Sequence, residues 1–80
     1  MTFTFILDGK TVPITDIRNS SFNYFRDESL FTLDIRTSSN GDFHFECSST
    51  DLGKANALWM LSQDIGFGLR AIAEGRLKVD

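Results

Sequence analysis

Apolar and polar positions alternate along much of the first half of this 80-residue chain, then fall into steps of three and four along its last third. Alternation is the period of a strand with one buried face, and steps of three and four are the period of a helix with one buried stripe. The first alternating stretch is Thr2, Phe3, Thr4, Phe5, followed by Ile6 and Leu7. It runs into Asp8-Gly9, a pair suited to the two positive φ angles of a type I′ hairpin turn. With that turn, Leu7 pairs with Lys10, Phe5 with Val12 and Phe3 with Ile14, so Phe3, Phe5, Val12 and Ile14 share one face. Thr2, Thr4, Thr11 and Thr15 share the other. Pro13 lacks an N–H and belongs at an edge or at a non-bonded position. Residues 2–17 therefore read as a first hairpin.

Residues 30–48 read as a second. Phe31, Leu33 and Ile35 alternate with Thr32, Asp34 and Arg36, and Phe43, Phe45 and Cys47 alternate with His44 and Glu46. Both apolar sets are odd-numbered, so paired positions must sum to an even number, which excludes a two-residue Asn40-Gly41 turn. Two registers satisfy the parity. A loop at residues 39–41, with Gly41 left-handed, pairs Ile35 with Phe45 and sets Asp34 facing Glu46. A loop at residues 38–40 pairs Asp34 with His44 and Arg36 with Asp42, at the expected expense of glycine at the left-handed site. Both leave the same residues facing outward.

Residues 50–75 read as a helix. Thr50 and Asp51 supply cap oxygens, Gly75 ends it, and Arg70, Arg76 and Lys78 lie near its negative end. Leu52, Ala55, Leu58, Leu61 or Ser62, Ile65, Leu69 and Ile72 form one stripe. Gly66 and Gly68 mark either a kink near Phe67 or a place where another backbone comes close. Trp59, Met60 and Phe67 lie off the stripe, so the helix is apolar on more than one side, and self-association through them follows as an expectation.

Residues 18–29 carry turn formers, Asn19, Ser20, Ser21 and Asn23, together with Phe22, Tyr24 and Phe25. They read as an aromatic loop, which either closes one end of the core or presents an aromatic patch beside Arg26, Asp27 and Glu28. Residues 76–80 form a tail in which Leu77 and Val79 either make a short strand or fray. The expected architecture is one α+β domain. It has a four-stranded antiparallel sheet from two hairpins, with a C-terminal helix across its Phe-rich face.

A net charge of −3 argues against direct nucleic-acid binding, which rests largely on Lys and Arg contacts to phosphate. Cys47 is the only cysteine, so no internal disulfide can form, and a reducing compartment, the cytoplasm, is expected. No apolar run approaches the roughly 20 residues of a membrane span, and no basic segment precedes an apolar one as in a signal peptide. Catalytic and cofactor readings fail on spacing. Residues 66–71 spell the G-x-G-x-x-A letters of a dinucleotide fingerprint but follow a helix rather than a strand. His44 and Cys47 are three apart on a strand, on opposite faces, which defeats a Cys–His nucleophile pair, and one His with one Cys makes no zinc set. No enzyme, metal or cofactor is expected.

Exposed acids remain. Asp34 and Glu46 share the outward face of the second hairpin, Asp42 lies beside its turn, and Asp27 and Glu28 precede it. They read either as a solvated face that discourages edge pairing or, with Tyr24, as a surface that docks onto a basic protein groove. In size, acidity and lack of catalytic motifs the whole chain resembles small phage-encoded inhibitors such as anti-CRISPR proteins, and equally toxin immunity proteins. No functional residue is matched by that likeness. It implies a non-enzymatic protein-binding inhibitor of a nucleic-acid-handling complex. Alternatives are a self-associating structural or assembly protein and a dimeric nucleic-acid regulator whose basic patch dimerisation would assemble.

Overall fold

A computed structural model describes residues 3–77. Strand β1 (Thr4–Leu7) and strand β2 (Lys10–Pro13) form the first hairpin, pairing Phe5 with Val12 and Leu7 with Lys10. Asp8 and Gly9 both adopt positive φ, 52° and 80°, as the type I′ turn requires. The hairpin remains a separate two-stranded ribbon. Beyond Pro13 the chain turns through a short 3-10 helix, Ile14–Asp16, which carries it off the line of β2. The expected single four-stranded sheet is thus replaced by two sheets, a hairpin and a three-stranded meander.

The meander's extra strand comes from the expected aromatic loop. Residues Ile17–Phe25 form β3, Leu30–Thr37 form β4 and Asp42–Ser48 form β5, all antiparallel in the order β3-β4-β5. Asn and Ser are poor strand formers, but cross-strand packing overrides that preference here. Phe22 lies opposite Leu33 and stacks on Phe31 at 5.4 Å, and Tyr24 lies opposite Phe31, 4.8 Å away. Arg18 is an extra residue between the Ile17 and Asn19 pairings, a bulge that switches the parity of the strand. As a result Ile17 enters the core although Phe22 and Tyr24, on the even positions, face the same side. The β3–β4 turn is the 3-10 segment Arg26–Glu28 followed by Ser29 in the left-handed region.

The second hairpin takes the register with Asp34 opposite His44 and Arg36 opposite Asp42. Left-handed glycine is retained all the same, since Gly41 has φ 76° immediately after the loop. Thr37 fastens that loop, donating its hydroxyl to the Gly41 carbonyl and accepting from the Asn40 N–H at 3.0 Å.

Helix α1 spans Leu52–Ala73, a little shorter than the expected 50–75. Asp51 caps it by accepting from the Lys54 N–H at 3.2 Å. Gly75, with φ 75°, closes it in a Schellman arrangement in which the Arg76 N–H donates to the Ala71 carbonyl at 2.8 Å. Residues 52–73 form one uninterrupted helix, and no other backbone comes close at Gly66 or Gly68. A Cβ at Gly68 would lie 3.1 Å from Ile14 Cδ1, so a side chain, rather than a backbone, takes up the space. Of the tail, Leu77 donates to the Ala71 carbonyl and forms no strand, and Val79 lies outside the described residues.

The core sits where hairpin, meander and helix meet. Leu7, Val12, Ile14, Leu33, Ile35 and Ile65 are fully buried, with Ile17 and Phe43 nearly so. Each such side chain contributes about 1.5–3 kcal/mol by leaving water. Leu58, Leu61, Leu69 and Ile72 pack around them from α1, as their spacing requires. Leu52 belongs to the expected stripe but is 76% exposed, because at 3.6 residues per turn it lies about 140° around the helix from Ile65, on the outer side. No helix among the described residues is long and apolar enough to cross a membrane.

Candidate functional site on the open face of the sheet

With α1 covering one side of the meander, the other side is left to solvent, and strand alternation decides what stands there. Asn19, Ser21 and Asn23 come from β3, Asp34 and Arg36 from β4, and Asp42, His44 and Glu46 from β5, while Thr32, on the same side of β4, is buried. Three carboxylates therefore share one uncovered surface, with Arg36 and His44 among them. Asn19, Ser21, Asp34, Arg36, Asp42 and His44 line a shallow hollow of about 380 Å³ at one end of it.

His44 is held from both sides. Its Nδ1 meets the Asp34 carboxylate and its Nε2 meets Glu46 Oε1 at 2.8 Å. The doubly protonated ring can donate to both acids at once, whereas the neutral ring can donate to only one. The Asp34 hydrogen bond, and after it that of Glu46, raises the His44 pKa above the ordinary 6.5. His44 thus couples the charge of the whole face to pH. Protonated, with Arg36, it offsets two of the three acids; neutral, it leaves more of their negative charge unbalanced.

The end of the face is pinned by a residue far away in sequence. Asp16, in the 3-10 helix after β2, accepts from the Ser39 hydroxyl at 2.7 Å, the Ser39 N–H at 3.1 Å and the Asn40 amide at 2.7 Å. Its backbone carbonyl accepts from the Ser38 N–H at 2.8 Å. Hydrogen bonds from the Ser39 and Asn40 side chains, in that order, lower the Asp16 pKa below the ordinary 3.8. The β4–β5 loop is in this way tied to the first hairpin, fixing where Asp42 and Arg36 stand.

The expected binding residues divide into separate groups. Asp34, Asp42 and Glu46 come together. Asp27 and Glu28 lie in the exposed β3–β4 turn, at the end of β4 away from Arg36 and Asp42, so they extend the acidity without joining the cluster. Tyr24 is on the opposite face, half exposed against Phe31, because its strand position is even-numbered. Trp59, Met60 and Phe67, expected at a self-association surface, are all exposed along the outer side of α1. For His44 the sequence carries one signal, the second register, which places it beside Asp34. Nothing in the sequence points to Asp16, whose partners are 23 and 24 positions away. No group of His, Cys, Asp and Glu suited to holding a metal ion is found among the described residues.

No family model matches this chain, and comparison with the curated proteins and with the solved structures finds no match.

Proposed function

We propose that the chain is a non-enzymatic inhibitor that binds a protein through the open face of its sheet, acting in the cytoplasm by occupying a basic groove of a nucleic-acid-handling complex. The observation that carries this reading is the strand register, which sets Asp34, Asp42 and Glu46 on one uncovered surface with their loop pinned by Asp16. A groove shaped for phosphates is lined with Lys and Arg, and an acidic sheet face is complementary to it in charge. Most of that complementarity acts on the rate of encounter and is screened by salt, so capture should weaken as ionic strength rises. It should also weaken as the pH falls through the raised His44 pKa, because protonation offsets an acid.

The test is capture of partner proteins by tagged chain, followed by mass spectrometry and a salt series. Recovery of a nucleic-acid-binding protein that is lost at high salt, and lost on Asp34→Lys with Glu46→Lys, is the expected result. Capture unchanged by the double reversal would remove the acidic face from the mechanism.

A further inference from the structure

The outer side of α1 has a pattern that the fold does not use. Leu52, Asn56, Trp59, Met60, Gln63, Gly66, Phe67 and Arg70 are all exposed, and from Leu52 to Phe67 this band carries no charge. Trp59 and Gly66 are seven residues apart, which is two turns, so they lie on the same flank about 10 Å from one another. Met60 and Phe67 have the same separation on the other flank. Space is open at Gly66, where an added Cβ would meet nothing within 4 Å.

A large residue and a gap two turns apart on one flank satisfy each other across a two-fold axis. Two such helices laid antiparallel, with the axis passing beside Gln63, bring Trp59 of each over Gly66 of the other. On the second flank the same operation brings Met60 of each onto Phe67 of the other. The two Gln63 amides then meet at the centre, where each can both donate and accept. Arg70 comes opposite the partner's Asn56, and Glu74, ion-paired with Arg76 at 3.0 Å, comes opposite the partner's first helical turn. Antiparallel helix dipoles are mutually favourable, and the seam between them is neutral along its middle. We propose that the outer face of α1 is a homodimer interface, occupied by the same face of a second copy in this antiparallel arrangement. Both acidic sheet faces then point away from the seam, which makes the assembly bivalent for any partner of that surface. The pairing rests on α1 alone and stands or falls separately from the acidic docking surface.

Sedimentation of the full chain over a wide dilution series tests it. The expected mass at high concentration is twice 9.0 kDa. Gly66→Glu should leave the helical circular dichroism intact, since the position is open to solvent. It should raise the dimer dissociation constant at least about thirtyfold, the effect of an unpaired charge placed in an interface. Met60→Lys, at a second exposed position, should do the same. A short bifunctional maleimide should link Gln63→Cys to its own copy but not Lys54→Cys, which lies off the seam. A strict monomer at every concentration, or a dimer that survives both charged variants, would overturn the proposal.

Discussion

The two solvent-facing sides of this molecule are made of opposite materials. On the sheet side stand Asp34, Asp42, Glu46, Arg36 and His44, with His44 held between Asp34 and Glu46 and the adjoining loop anchored by Asp16. On the helix side stand Leu52, Trp59, Met60 and Phe67, which are 76%, 50%, 51% and 64% exposed. A helix that covers one sheet needs one apolar stripe, and α1 has two. The inner stripe is required by the core; the outer one is surplus to it. Large apolar residues left in water by a small domain point to an interaction surface rather than to folding.

The sharpest way to break this contrast is to remove one residue from each stripe. Ile65 is fully buried, and Ile65→Ala should cost about 2–5 kcal/mol in denaturant unfolding, enough to approach the whole stability of so small a domain. Phe67→Ser, two positions later and 64% exposed, should cost under about 1 kcal/mol when measured at high dilution. Equal losses at the two positions would mean that the outer stripe belongs to the core. A smaller effect, opposite in sign at its two positions, comes from the glycines. Gly66→Ala meets open space and should stabilise by about 1 kcal/mol through helix propensity. Gly68→Ala pushes into Ile14, whose Cδ1 and Cγ1 would lie 3.1 and 3.3 Å from the new Cβ, and should cost about 1–2 kcal/mol net.

On the sheet side the effects are smaller and depend on pH. His44 has a folded pKa above 6.5, so what its two carboxylates contribute is fully present below 6.5 and is lost as the pH rises through the folded value. Asp16 has a folded pKa below 3.8, so its contribution is present above 3.8 and is lost as the pH falls through the folded value. Unfolding midpoints of the wild type, His44→Gln and Asp16→Asn across that range should show each variant losing one limb of the profile. A variant whose profile keeps both limbs would separate that residue from the pH response.

How much of this was legible beforehand follows from where the information lay. The first hairpin was readable because turn chemistry at Asp8-Gly9 and burial parity from Phe5 and Val12 agree locally. The inner stripe of α1 was readable from spacing, with both caps marked. Strand β3 was hidden because Asn19, Ser20, Ser21 and Asn23 carry turn preferences, and only pairing with β4 overrides them; alternation of Phe22 with Tyr24 was its one trace. The division into two sheets was hidden because it depends on a three-residue 3-10 turn after Pro13. Of the charged surface, the acids followed from strand parity, whereas the Asp16 anchor is a long-range contact without local signal.

The division of α1 into an inner and an outer stripe depends on how the helix is rotated about its own axis, and Trp59, the only tryptophan, reports that rotation directly. Acrylamide quenching of its fluorescence in dilute folded protein should be efficient, with red-shifted emission, and should become less efficient as the protein is concentrated. Blue-shifted emission that resists quenching at every dilution would place Trp59 inside the fold and contradict the assignment of both stripes.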